Sequence, residues 1–453
     1  MRSAVVLVIL GLVGMQGCSP PEVSESTFVD WAAEAAIVLD PIAWNETAAR
    51  DLSDLDQLVD GARVVFLGEP DHYVIEKYDY RLVMIRYLVE RGYRYIGMEM
   101  GLSDGTRVDD YLETGDSSHL DRIALYGYRG DMRDDRDDTP GPLVAWSDPA
   151  FHQAFVDEEI RFLTELYSIS TALPDRLRWF GFDVDPFPGG GYSDWEAVVG
   201  SYADEPLVRN LSEQLARVPG ESRAEEVDRL EQVEVQLEGH STELDRLLGP
   251  ESFSAARQIL RNLIESLHFR DLAFREPFGQ YWDEGLDYRE AAISARLDTG
   301  WLEQLPGDSK VILMGHNFHL SKEGVGLRSG GSDGEGKAVE RPSFGSAVAL
   351  REEVCSIWML YDHGTTLSAL EADPLVRVDR QPDRIESVLT RVGSVFVLAI
   401  NDDDDRAAWL DQDLNFVQNG GLGSGNLRRQ ADVLFFVDEV HAVGAATTVL
   451  PQG

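Results

Sequence analysis

The sequence predicts an α/β protein, a mainly parallel sheet flanked by helices, with a helical insertion. Three observations carry that expectation. Predominantly apolar runs of strand length, rich in branched or aromatic side chains, recur at 64–67, 95–98, 177–182, 311–315, 354–360, 394–400 and 432–437; such runs mark strands buried on both faces. Helical segments separate the first several of them, the alternation that parallel crossovers require. The stretch from about 200 to 280 is charged, carries apolar residues at helical spacing (Ala256, Ile259, Leu263, Leu267) and holds no strand pattern, which is the signature of inserted helices.

Composition bounds the function. At 453 residues, 43% hydrophobic and 27% charged, the chain has ample material for a full core. Its charge is unusual: 81 acidic against 40 basic residues give −41, and lysine occurs only at Lys77, Lys310, Lys322 and Lys337. Such a surface repels nucleic acid and anionic headgroups, which excludes a phosphate-backbone binder, and it reads as a solubility or salt adaptation. No protein partner is indicated.

The chain opens with Arg2, an apolar stretch at 4–13 and Gly17-Cys18. Residues 1–17 read as a secretory signal, too short for a transmembrane helix. A cysteine at the cleavage point resembles the bacterial lipoprotein signal, with lipid on Cys18 as the membrane anchor and Ser19 pointing to the outer membrane. The expected location is the cell envelope, facing periplasm or exterior. Residues 18–30 then form a polar tether and 31–453 the α/β domain. Cys355, within an apolar strand pattern, is expected to be a buried thiol, so neither a disulfide nor a thiolate metal site is expected.

Taken in order, 28–60 is largely helical. The first strand runs to Gly68, and Pro70 keeps Glu69 extended, so Glu69 and His72 sit just past the strand's carboxyl end, where open α/β sheets hold ligands. The following helix carries Arg81, and the second strand ends at Glu99. Residues 101–150 read as a long loop with an aspartate-rich run at 131–138. An amphipathic helix at 151–169 leads to the strand ending at Asp183. After the inserted helices and a helix containing Ile293 and Leu297, the strand at 311–315 ends in His316-Asn317-Phe318-His319. If these strands are neighbours, Glu69, His72, Glu99, Asp183, His316 and His319 share one crevice. A histidine beside carboxylates there is an acid–base device, because the carboxylate fixes the tautomer and raises imidazole basicity. Gly330-Gly331-Ser332-Asp333-Gly334 fits G-x-S-x-G but lacks the strand and helix of a nucleophile elbow. Neither a glycine-rich phosphate loop nor a His-Glu-x-x-His helix is present.

Gly68-Glu69-Pro70-Asp71-His72, followed by Glu76, Arg81 and Glu99, resembles the opening of the erythromycin esterase family. Gly181-Phe182-Asp183, Tyr288-Arg289-Glu290-Ala291, His316-Asn317-Phe318-His319 and Phe436-Val437-Asp438 resemble its later motifs in order. The resemblance implies hydrolysis of a carboxylic ester or lactone with no cofactor and no metal. His72 would be the general base, oriented by Glu69 or Glu99. Arg81 and His316 would polarise the carbonyl or stabilise the oxyanion, and His319, Arg289, Asp183 and Asn317 would position the small-molecule substrate. Two departures stand near the substrate side. Tyr73 replaces the family's glycine, and 101–149 lacks its tryptophan-rich stretch, so the hydrolytic apparatus carries over further than macrolide specificity. Two other readings of the residues stay open: a divalent metal between His72, Glu99 and His316 with Glu69 as base, and a non-catalytic lipoprotein binding a small ligand in the same crevice.

Overall fold

The computed structural model describes residues 23–123, 149–185, 189–273, 282–298, 305–330, 337–338, 342–367, 375–401 and 404–444. The expected signal segment and Cys18, the aspartate-rich run at 131–138 and the Ser332 motif beyond Gly330 lie outside the described residues.

Thirteen strands are described in chain order: β1 (Ile37–Val38), β2 (Val64–Glu69), β3 (Tyr93–Gly101), β4 (Arg178–Asp183), β5 (Lys310–His316), β6 (Arg328–Gly330), β7 (Lys337–Ala338), β8 (Val354–Leu367), β9 (Leu375–Val378), β10 (Val395–Ala399), β11 (Leu414–Gln418), β12 (Gly421–Gly425) and β13 (Val433–Val440). Nine of them make one sheet in the order β1-β10-β13-β8-β2-β5-β3-β4, with β9 paired to β8. From β13 through β8, β2, β5 and β3 to β4 every pairing is parallel. β10 and β1 extend the sheet antiparallel beyond β13, and β9 pairs antiparallel with β8. The mainly parallel sheet is therefore as expected. The strand that ends in Glu69 lies beside the one that ends in His316, with Glu69 opposite His316 in the register.

Burial on both faces explains the apolar runs. Side chains alternate across a sheet with period two. Val65 and Leu67 accordingly join one core cluster, with Ile96, Met98, Ile312 and Met314. Val64 and Phe66 join another on the opposite face, with Val311, Leu313 and Phe182. The helix Glu76–Val89 covers the first face through Tyr80, Met84, Tyr87 and Leu88. Small residues allow the closest approach at the sheet's edge, where the helix Leu102–Thr114 lies on β4. A Cβ on Gly105 would come within 1.9 Å of the Gly181 nitrogen, so glycine is required there.

Between β4 and β5 the chain is helical. The helices Gly189–Val199, Pro206–Leu215, Arg223–Gly239, Ser241–Leu248 and Pro250–Ala273 share a core of their own, including Leu211, Leu230, Val233, Leu237, Leu260, Leu263 and Leu267. Pro206 occupies the first turn of its helix, and Ser222 with Glu225 forms a reciprocal capping box on the next.

Four features differ from the sequence-based expectation. The stretch 101–150, read as a long loop, opens with the helix Leu102–Thr114, which buries Val108, Tyr111 and Leu112 and ends at Gly115 in the left-handed conformation (φ 73°). The tether expected over 18–30 is helical from Glu25, because Phe28 and Val29 are buried against the domain. The stretch 28–60 is largely helical, closing with the helix Asp56–Asp60, but a strand interrupts it. A helix Glu25–Ala35, capped by Ser24, gives way to β1 and then to short helical turns at Trp44–Glu46 and Ala49–Leu55. The branched pair Ile37-Val38 finds a ladder partner in β10. A second, four-stranded antiparallel sheet, in the order β11-β12-β6-β7, is also present. Its β11–β12 hairpin turns on Asn419 (φ 48°) and Gly420 (φ 67°), the paired positive φ angles that Asn-Gly supplies for a two-residue hairpin loop.

Candidate active site

The carboxyl ends of β2, β5, β3 and β4 are adjacent, and the polar residues that close them converge. Glu69 is the last residue of β2 and is fully buried; His72 follows on the turn and keeps 22% of its side chain exposed. Their contact is direct, His72 Nδ1 to Glu69 Oε1 at 2.8 Å. The other carboxylate oxygen faces Arg81 Nη2 at 2.6 Å, and Lys77 Nζ stands 3.7 Å from Oε1. Lys77 also donates to the His72 carbonyl. Burial pushes the Glu69 carboxyl up, but Arg81, Lys77 and His72 together overcome it and bring it down to about 2. Glu69 is thus a fixed anion beneath a reachable imidazole.

Arg81 is not where a carbonyl-polarising group would stand. Its side chain is fully buried against Glu69, so it acts on a substrate only through that carboxylate. Asn317 is likewise fully buried. Its backbone N–H donates to the Glu69 carbonyl at 2.8 Å and its side chain to the Met359 carbonyl at 3.3 Å, a pair of bonds that locks β5 to its neighbours. Gly68 makes room for it, since a Cβ there would lie 2.3 Å from Asn317 Oδ1.

A second cluster is built on Glu99, the carboxylate near the end of β3. One oxygen accepts the His316 backbone N–H at 2.7 Å; the other accepts from Arg289 Nη2 at 2.7 Å and lies 3.2 Å from His319 Nε2. Burial raises the Glu99 carboxyl, but His319 and Arg289 hold it well below the usual range. Arg289 Nε also reaches both oxygens of Asp183, at 2.9 and 3.0 Å, and Nη1 lies 3.1 Å from His319 Nε2. Burial opposes the guanidinium's charge, yet Asp183 and Glu99 keep it firmly protonated. His319 Nδ1 contacts Glu290, whose other oxygen accepts the Phe344 N–H at 3.0 Å. Burial drives the His319 imidazolium down, and Glu290 and Glu99 more than reverse this, to about 9. His319 and Arg289 are therefore two fixed cations at the strand ends, 16% and 15% exposed.

His316 joins the two clusters. Its ring centroid lies 5.1 Å from that of His72 and 6.2 Å from that of His319. Burial, with the neighbouring His72, lowers His316 to about 3, so the ring is neutral. Its nitrogens are met from the second sheet: Asn419 Oδ1 lies 3.1 Å from Nε2, and the Gln418 side-chain nitrogen lies 3.0 Å from Nδ1 and 2.5 Å from Nε2. Sequence reading missed Gln418 and Asn419. The available signal was the Asn419-Gly420 dipeptide, which marks a hairpin but not where its tip docks. Glu290 and Lys77 were also missed as site residues. Each sits next to, or a few residues along the same helix from, a residue that was singled out.

Among the described residues, the histidine–carboxylate group with three potential ligand atoms within 4.8 Å is Asp362, His363 and Asp438, not His72, Glu99 and His316. Arg380 already spans its two carboxylates, 2.9 Å from Asp362 and 2.8 Å from Asp438.

The chain resembles known proteins at three levels. The erythromycin esterase family model matches residues 88–440. A 72-residue stretch is 38% identical to "Erythromycin esterase type I" of Escherichia coli; it covers 16% of this chain and 18% of the relative's length. The fold matches the crystal structure of a Bacillus cereus protein with a TM-score of 0.66 and 18% identity, covering 93% of this chain and 99% of that one. It matches a succinoglycan biosynthesis protein with a TM-score of 0.64 and 15% identity over 92% and 98%. A mutant of the erythromycin esterase EreC in its open conformation aligns with a TM-score of 0.62 and 18% identity over 90% and 97%. The family model spans most of the chain, including the strand ends that carry Glu99, Asp183 and His316, and the chain belongs to the erythromycin esterase family.

Proposed function

We propose that this protein is a carboxylic ester hydrolase in which His72 activates water. The observation that carries the reading is the 2.8 Å contact from His72 Nδ1 to a buried, ionised Glu69. Donation of Nδ1–H to Glu69 fixes the tautomer and leaves the Nε2 lone pair to take a proton from water. The resulting hydroxide attacks the ester carbonyl. Charge that develops on the carbonyl oxygen is met by Arg289 and His319, which are held protonated by Asp183, Glu99 and Glu290. Collapse of the tetrahedral intermediate expels the alkoxide, which recovers the proton from His72. The scheme draws its positive charge from these side chains and needs no metal. Arg81 and Lys77 serve it by keeping Glu69 ionised. The substrate class is a small carboxylic ester or lactone; the family and the named esterase relatives support that class without fixing its member.

The test is hydrolysis of a panel of small esters and lactones, erythromycin included, by the wild type and His72→Ala, with and without chelator. Turnover that survives chelator and falls about 10²–10⁴-fold in His72→Ala is expected for a lost general base. Turnover unchanged in His72→Ala, or abolished by chelator and restored by added metal, would overturn the scheme. We propose further that Cys18 carries a lipid anchor that holds the enzyme in the cell envelope. Labelled fatty acid incorporated by the wild type and not by Cys18→Ser supports this; equal incorporation or none counts against it. Among the described residues no helix is long and apolar enough to cross a membrane.

A further inference from the structure

The parallel ladder of β2 with β8 ends at Gly68 opposite Trp358, and its ladder with β5 ends at Glu69 opposite His316. The turn 70–73 therefore lies outside both ladders, yet it must hold His72 against Glu69. Each of its residues is fastened to a different element. The Pro70 carbonyl accepts the Asn419 N–H of the β11–β12 hairpin at 2.7 Å, and the Tyr73 carbonyl accepts the Val443 N–H just past β13 at 2.9 Å. The His72 carbonyl accepts from Lys77 on the following helix. Asp71 is fastened by its side chain. One carboxyl oxygen accepts the Tyr73 N–H at 3.0 Å, an Asx-turn whose ring encloses His72. The other meets the Tyr361 hydroxyl of β8 at 3.2 Å. Asp71 stands three residues past Gly68 and Tyr361 three past Trp358, so this side-chain bond continues the β2–β8 register where the backbone ladder stops. Asp71 is 1% exposed and Tyr361 fully buried, so water does not compete freely for either bond.

We propose that Asp71, anchored by Tyr361, is a positioning residue that sets the main chain of His72 so that its ring meets Glu69. Two buried carboxyl groups from one short segment then divide the task. Glu69 receives the imidazole, Nδ1 to Oε1 at 2.8 Å, and Asp71 fixes the backbone from which that imidazole projects. The bond to Tyr361 ties the turn to the neighbouring strand, so the base moves with the sheet and not with the loop. Being buried, Asp71 acts on a substrate only through His72. Burial raises the Asp71 carboxyl, and the pair with Tyr361 survives either protonation state, because a hydroxyl can donate or accept.

The kinetic half of the test rests on the proposed hydrolase function; the spectroscopic half does not. Histidine-¹⁵N-labelled protein is examined by two-bond ring correlation spectra without substrate under mildly alkaline conditions, with the His72 signals assigned by their loss in His72→Ala. The wild type is expected to show the Nδ1–H tautomer that faces Glu69. Asp71→Ala opens the Asx-turn and releases the Tyr361 hydroxyl, so His72 should become a mixture of tautomers. On the best ester substrate, kcat should fall about 10–100-fold with little change in KM, the split expected when a catalytic group is displaced by about an ångström. Asp71→Asn keeps an acceptor for the Tyr73 N–H, and its amide can donate to the Tyr361 hydroxyl. It should restore the tautomer and most of the rate. Tyr361→Phe keeps the Asx-turn and removes only its anchor, so it should show both effects at smaller size even if Asp71→Ala does not fold. A wild-type Nε2–H tautomer, unchanged His72 signals in Asp71→Ala or Tyr361→Phe, or an Asp71→Asn as impaired as Asp71→Ala would overturn the proposal. If no panel ester is hydrolysed, the hydrolase reading falls while the spectra still decide how His72 is placed.

Discussion

Replacing Arg81 by Met probes the foundation of the site, because Arg81 and Glu69 form an ion pair with both side chains fully buried, Nη2 to Oε2 at 2.6 Å. At that separation and an effective dielectric of about 20, the gross attraction is roughly 6 kcal/mol. Desolvation of both groups consumes much of it, but removing one partner strands the other, and that costs about 3–5 kcal/mol. Lys77, 3.7 Å from the same carboxylate, softens the loss toward about 3 kcal/mol. Glu69→Gln should cost a comparable amount, since it leaves Arg81 and Lys77 buried without their anion. The double variant should lose less than the sum of the singles by about 2 kcal/mol or more, because neither partner is then stranded. Urea unfolding followed together by tryptophan fluorescence and far-ultraviolet circular dichroism measures all four corners of the cycle. Single losses that simply add, within about 0.5 kcal/mol, would refute the claim that this pair holds the base's carboxylate in place.

The pH dependence of stability should be bounded on both sides. Glu69 lies at about 2 in the folded state against an ordinary 4.5, so its stabilisation is complete above 4.5 and is lost as pH falls toward 2. His319 lies at about 9 against 6.5, so its stabilisation is complete below 6.5 and is lost as pH rises through 9. Urea midpoints at pH 6, 7.5 and 9.5 should fall with pH in the wild type, and His319→Asn should flatten that fall; an equally steep fall in the variant would contradict it. Gly68→Ala places a methyl 2.3 Å from Asn317 Oδ1 and 3.0 Å from Trp358 Cδ1. It should cost about 1–3 kcal/mol by overpacking and lower activity by shifting β5; thermal unfolding indistinguishable from wild type would show that Asn317 yields without cost.

Much of this architecture was legible because burial on both faces writes a strong signal. Runs such as Val64 to Leu67 and Val311 to Met314 have no polar interruption, and each ends in the residue type that the crevice uses. The site's membership followed from that, because adjacent parallel strands must bring Glu69, Glu99, Asp183 and His316 to one edge. The partners of those residues were less legible. Arg81 sits on the right helix, but only three-dimensional packing shows that it points under Glu69 and not into the crevice. Asn317, between two histidines, reads as a substrate contact until its burial and its bond to Met359 are seen. Gln418 and Asn419 lie 102 and 103 residues along the chain from His316. A hairpin pattern specifies the turn but not the surface on which its tip lands.

The most direct test of the central claim is a single turnover in H₂¹⁸O, with enzyme in excess over the ester or lactone that the panel identifies. Water activated by His72 predicts that the acid released in that first turnover carries one ¹⁸O from solvent. If a carboxylate of the site attacked the substrate instead and water then opened the mixed anhydride at the protein's carboxyl carbon, the first acid released would carry only ¹⁶O, and the label would remain on Glu69 or Glu99. That result would contradict the account.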